Sequence, residues 1–397
     1  MEKHQRTELH VCPEIVRGAD DEIKQKIDNE IDTSVSNKKE KNYLLHCIDR
    51  NIECRTIIIA SVAIVFIIVI GLVVLYGLYF KSTYQISSSD NCENMNCTTV
   101  STTTVKNGVT VAGGHGPGNA TNQLNSPFGL FVDDNQTIII ADWGNARIIQ
   151  WRINDTNGQV VAGGHGDGDR LDQLKGPVDV LIDKETDSLI ICDRWNRRVV
   201  KWSRRYGTTE GEILLDNVFC GGLAMDDQRY LYVSDTGNDE IRKYQIGNKN
   251  GTVVAGGHGT GNGTNQLSSP YCFFVDRQQN VYVSDTGNHR VMKWNKNAKE
   301  GLVVVRSEGI GDAIVQLAIP AGLFVDALGI LYVVDGRSDR VMRWYNATTR
   351  GTVIAGGNGQ GEGPNQFNGP DDLAFDGHGN FYVVDTGNNR VQRFSID

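Results

Sequence analysis

An aspartate closing a short apolar segment returns at Asp133, Asp183, Asp226, Asp276, Asp326 and Asp376, in steps of 50, 43, 50, 50 and 50 residues by subtraction. A period in that range means propeller blades or a solenoid, because each copy is one supersecondary unit that cannot bury its apolar surface alone. A second aspartate keeps phase at Asp142, Asp193, Asp235, Asp285, Asp335 and Asp385. Nine residues after each stands an aromatic: Trp151, Trp202, Tyr244, Trp294, Trp344 and Phe394. Six copies of one unit are therefore present, the most regular running from Gly251 to Trp294.

Within a copy the apolar period is 2, as in Val281 and Val283 against Tyr282 and Ser284, and the runs are short, β-branched and bounded by Gly, Asn and Asp. That pattern predicts four strands per unit. The second strand ends in Asp-Thr-Gly-Asn at Asp235, Asp285 and Asp385. This is a predicted tight turn, in which the carboxylate accepts backbone N–H bonds and the glycine supplies a positive φ. Six small sheets must then pack face to face about an axis, which predicts an all-β, six-bladed β-propeller. The sixth copy stops after its third strand, Val391 to Phe394, while Gly108-Val-Thr-Val-Ala-Gly113 matches the outer strands at Gly158 to Gly163 and Gly351 to Gly356. The N-terminal segment is expected to complete the last blade and so remove an open sheet edge. Strand polarity then puts the Gly-Gly-His-Gly loops (His115, His165, His258) on the face of the Asp-Thr-Gly-Asn turns, with the preceding segment arriving from the opposite face.

These units resemble the NHL repeat, whose pattern is a Gly-rich start, Pro, Gly-Leu/Ile-x-Val-Asp and Tyr-Val-x-Asp-Thr-Gly-Asn-x-Arg-Val. The resemblance covers residues 107 to 397, with the copies at Gly158, Gly251 and Gly351 close to the pattern. The third copy departs from it: Glu240 stands where the others carry Arg147, Arg198, Arg290, Arg340 and Arg390, and the Gly-Gly-His-Gly loop is missing. What the resemblance implies is architecture, since its members include lyases, RNA binders, sensor domains and cell-surface proteins.

Ahead of the repeats, Ile57 to Phe80 holds 24 residues without a charge. At 1.5 Å per residue such a helix crosses a hydrocarbon core of about 30 Å. Lys38, Lys39, Lys41, Arg50 and Arg55 precede it and Lys81 alone follows it closely. The positive-inside rule therefore predicts a type II signal anchor with the propeller outside. The expected divisions are a disordered cytosolic tail at 1–56, the membrane span at 57–80, a Ser/Thr/Asn-rich stalk at 81–106 and the propeller at 107–397. Seven glycosylation sequons all follow the span, at Asn96, Asn119, Asn135, Asn154, Asn250, Asn262 and Asn346, as expected of an exported domain. Of the cysteines beyond the span, Cys92 and Cys97 lie close enough in the stalk to pair with each other, and the pairing of Cys192, Cys220 and Cys272 is open.

Chemistry follows from which residues break the repeat. His115, His165 and His258 fill one rim position on separate blades, too far apart to share a zinc ion. Nearer the axis the inner strands begin with Phe128, Val178, Gly221, Tyr271, Ala321 and Asp371, followed by Gly129, Asp179, Gly222, Cys272, Gly322 and Asp372. Asp179 and Asp372 share one slot and are the place where calcium would bind, although no cofactor is expected. The recurring Asp and Arg are structural, since catalytic groups would occur once. A net charge of −9 argues against nucleic acid, which is bound by neutralising phosphates. The expected function is extracellular recognition of a protein or glycan through Trp195, Asn217, Tyr271 and Asp371, on the face away from the membrane. There the short third copy should leave a notch between blades 2 and 3 beside Trp195. The alternative is a metal-dependent ectoenzyme, lyase or lactonase-like, with its site at the axial channel.

Overall fold

The structure, a computed structural model, describes residues 107–306, 317–345 and 350–396. Six four-stranded antiparallel sheets form the blades of a propeller. Blade 4 is typical: an inner strand Pro270–Val275, then Val281–Asp285, Arg290–Trp294 and an outer strand Leu302–Arg306. Strands and short 3-10 turns make up the regular structure, with no α-helix among the described residues. None of these residues forms a helix long and apolar enough to cross a membrane. The predicted tail, span and stalk, with Cys92, Cys97 and Asn96, lie outside the described residues, as does Asn346.

The closure is as the repeat predicts. Val109–Gly113 is the outer strand of blade 6, antiparallel to Arg390–Ser395, with Val109 opposite Arg393 and Gly113 opposite Arg390. The chain thus enters the ring on the face opposite the turns.

Each blade buries its faces against its neighbours, and six apolar clusters fill the six seams. The repeated aromatics are the centres of these seams, and all six are buried. A glycine at the start of each outer strand makes room for them. A Cβ on Gly301, for example, would come within 2.8 Å of the Trp294 ring.

The second repeated aspartate joins each blade to the loop that precedes it. Asp285 accepts a hydrogen bond from the Ser268 N–H at 2.7 Å and pairs with Arg290 at 2.6 Å. Arg290 in turn donates to the carbonyls of Asn262, Gly263 and Gln266 at 2.8–3.0 Å. The same clamp recurs as Asp142–Arg147, Asp193–Arg198 and Asp385–Arg390, and its ion pair as Asp335–Arg340. It also explains Glu240. The loop into blade 3 is three residues, 217–219, where the other blades have thirteen, such as 257–269. With no long loop to hold, the arginine has no carbonyls to bind.

The turn works differently from its expected geometry. The residue with positive φ follows the turn's Asn, or Ser338 in blade 5: Ala146, Arg197, Asp239, His289, Asp339 and Asn389, at φ of 48 to 55°. In blades 1, 4 and 6 the turn glycine instead permits a close approach to the preceding loop. A Cβ on Gly287 would lie 2.5 Å from the Ser268 Oγ and 2.9 Å from its carbonyl oxygen.

Where the loop is short, a disulfide replaces it. Cys192, next to last in the second strand of blade 2, bonds Cys220, which occupies the place of the proline that starts every other inner strand. The bond closes a 28-residue separation, and loop-closure entropy for that length is worth about 3.5 kcal/mol.

Candidate functional site

Two concave features stand out, on opposite faces. The first is the axial channel. At one level on its wall Gly129, Asp179, Gly222, Cys272, Gly322 and Asp372 alternate, so that three glycines leave room for two carboxyls and a thiol from every second blade. A Cβ on Gly322 would meet the Asp372 carboxylate at 2.5 Å, and one on Gly129 would meet that of Asp179 at 2.8 Å. The carboxylates also tie blades together. Asp179 accepts the N–H groups of Val180 and Leu223, both at 2.7 Å. Asp372 accepts those of Leu373 and Leu130, at 2.8 and 3.1 Å.

Towards the turn face the channel is stopped. Phe128 of blade 1 and Tyr271 of blade 4, on opposite sides of the axis, bring their rings to 5.6 Å. The Arg194 guanidinium lies 4.2 Å from the Phe219 ring and 4.9 Å from that of Tyr271, and donates to the Cys220 carbonyl at 2.8 Å. Towards the other face the channel widens into a cup of about 610 Å³, with Asp179, Cys272 and Asp372 low in its wall and Phe274, Phe324 and Phe375 higher up. Phe324 stacks on Phe375 at 4.3 Å and meets Phe274 edge-on at 5.0 Å.

Enclosure governs the charge of the channel and its cup. Burial pushes Asp179 up to about 7 and Asp371 up to about 6. Burial, reinforced by the charge of Asp179, holds Asp372 well above the carboxylate range. The Cys272 thiol is driven upward by burial and by the surrounding aspartates, so it stays protonated. Calcium takes six to eight oxygens, and two aspartates whose oxygens already accept N–H bonds fit it poorly. Among the described residues no three His, Cys, Asp or Glu side chains are gathered for a metal ion. His165 bonds the Asp172 carbonyl of its own loop and His258 the Gly256 carbonyl at the end of the preceding strand, both at 3.0 Å.

The second feature lies on the turn face. Trp195 is 51 % exposed. On its blade 3 side, Phe219 fills the space left by the short loop, edge-on to Trp195 at 5.6 Å. The pocket that Trp195 borders is on its other side, between blades 1 and 2: about 530 Å³ lined by Trp143, Gly144, Ala146, Asp167, Lys175, Gly176 and Trp195. Trp143, 37 % exposed, takes the turn position that holds Thr286 and Thr386 elsewhere, a departure visible in the sequence but not used there. Asn217 is exposed on the short loop and bonds Asp216 at 3.3 Å. Tyr271 and Asp371 belong to the channel, and Tyr271 meets the Trp195 turn through Arg194. The structure therefore spreads the four expected recognition residues over the pocket, the short loop and the channel stopper.

Comparison with known proteins agrees with this architecture. Residues 367–394, in blade 6, match the NHL repeat model. A protein of unknown function from Bacteroides thetaiotaomicron aligns with a TM-score of 0.59 at 18 % identity, over 73 % of this chain and 76 % of that one. An auxiliary nutrient binding protein from the same organism gives 0.56 at 15 %, over 72 % and 75 %. A gluconolactonase from Xanthomonas campestris gives 0.51 at 13 %, over 74 % and 99 %. No curated protein matches the sequence. At these identities the likeness is one of fold. The chain carries an NHL repeat and is a six-bladed β-propeller.

Proposed function

We propose that this chain is a membrane-anchored recognition propeller, held by the apolar run at 57–80 and displayed outside the cell, where its turn face engages a protein or glycan. The observation that carries the reading is the pair of exposed indoles, Trp143 and Trp195, around one pocket on an otherwise polar, glycine-rich rim. Large aromatics supply much of the energy at recognition sites, and neither indole is needed to fill a seam. Two further facts support display outside. The Cys192–Cys220 bond is of the kind that persists in oxidising compartments. The five sequon asparagines within the described residues, Asn119, Asn135, Asn154, Asn250 and Asn262, are all exposed.

With a tag at each end of the full chain, protease added to intact cells should remove the C-terminal tag and spare the N-terminal one. The reverse pattern would refute the orientation. A second reading, a metal-dependent ectoenzyme of the lyase or lactonase-like kind, draws on the axial cup. Metal analysis of the purified full-length protein separates the two. We expect neither zinc nor calcium near one equivalent, and a stoichiometric ion removed by Asp179→Asn would favour the enzyme.

A further inference from the structure

Resting on that reading, we propose that the pocket between blades 1 and 2 binds a saccharide, with a sugar ring packed against the surface that Trp143 and Trp195 form together. The two indoles converge on one glycine. The Cβ position of Gly176 lies 2.0 Å from Trp195 Cδ1, 2.6 Å from its Nε1 and 2.9 Å from Trp143 Nε1. Any side chain at 176 would collide with the Trp195 indole, so glycine is what lets the two rings meet over this point, and Gly144 and Ala146 keep the rest of the floor small. At about 530 Å³ the pocket is within the range that takes a small ligand, and too confined for the broad apolar contact of a protein interface.

Its chemistry matches a ring with apolar C–H faces and a polar edge. Indole faces are electron-rich and favour the slightly positive hydrogens of such C–H groups. Neither indole N–H has a protein acceptor among the described residues, so both remain as donors for hydroxyl oxygens. Beside them, Lys175 and Asp167 stand 3.8 Å apart, 47 % and 61 % exposed. An ion pair that long and that wet contributes little to stability, and both groups are free to bond hydroxyls instead. Asp167 would accept from them and Lys175 would donate to them. The loop holding Lys175 is itself fixed, because its N–H donates to the buried Asp193 carboxylate at 2.7 Å. The site is thus set in the rigid part of the blade.

The test uses the full chain in phosphatidylcholine nanodiscs, which avoids sugar-headed detergents, against an array of neutral and acidic mono- to tetrasaccharides. The hits are then titrated by tryptophan fluorescence. Trp151, Trp202, Trp294 and Trp344 are at most 4 % exposed, so a saturable change reports Trp143 and Trp195. The expected result is binding of a subset of sugars, weakened at least tenfold by Trp143→Ala or Trp195→Ala and severalfold by Asp167→Asn, at an unchanged melting temperature. If Trp195→Ala lowers that temperature, Trp143→Phe and Asp167→Asn carry the test. Array signals equal to those of the double tryptophan variant would overturn the saccharide. So would a protein ligand that needs Trp195 and still binds after both partners are deglycosylated, an outcome that leaves the recognition reading standing. Sugar binding with full affinity in both tryptophan variants would overturn the site.

Discussion

Deleting Gly108 to Gly113 from the full chain is expected to abolish the cooperative folding of the propeller, a loss of more than 5 kcal/mol and so comparable with the whole stability of an ordinary domain. The five residues Val109–Gly113 supply the fourth strand of the last blade, beyond the direct contacts of blade 1 with blade 6 such as Leu130 N–H to Asp372 and Thr386 to the Pro127 carbonyl. Without them the third strand of blade 6, Arg390–Ser395, becomes an open edge, and an unpaired edge is a template for aggregation. Ala112, buried against Leu124, Tyr382 and Val391, would leave the seam between blades 6 and 1 unfilled. Thermal unfolding followed by circular dichroism checks this, with deletion of residues 85–100 as the control. That control should keep the parent melting temperature, and equal losses from both deletions would refute the closure.

Replacing Arg290 by alanine should cost about 3 to 5 kcal/mol, the range for stranding one member of a buried ion pair. The substitution removes the bond to Asp285 and the three bonds to the loop before blade 4. Asp285 is completely buried and would keep only its partners in the turn and loop. In three sister clamps the balance is already unfavourable to the charge, since burial lifts Asp142, Asp193 and Asp385 above the usual carboxylate range despite their arginines. Glu240→Ala, at the equivalent place in blade 3, should cost less than half as much because no long loop depends on it. Urea midpoints of the two variants decide the matter, and equal destabilisation would remove the clamp as the explanation of the Arg/Glu difference.

The placement of the two concave sites rests on contacts between blades, which the repeat pattern describes poorly. Trp195 was legible as a break in the turn, but its neighbours were not. The short loop reads as a gap, and only the packed structure shows Phe219 filling it and Trp143 approaching from the other side. The disulfide had a signal of its own. Cys220 replaces the repeat's proline, and Cys192 sits where Ser234 of the next blade reaches the Pro270 carbonyl. That slot is recognised only once the neighbouring strand start is known to face it.

The six blades, their four strands, the closing strand and the structural character of the Asp–Arg pairs were determined by the sequence. Each of these is local or repeats, so period, turn chemistry and the position of the aromatics report it directly. The tertiary structure alone decided that the channel is stopped at the turn face by Phe128, Tyr271 and Arg194, that two aspartates and a cysteine line one blind cup, and that two indoles meet over Gly176. Those groups come from different blades, 52 (Trp143 to Trp195) to 193 (Asp179 to Asp372) residues apart in the chain by subtraction. Ring geometry, which has no counterpart in the linear pattern, is what brings them to one axis or one seam.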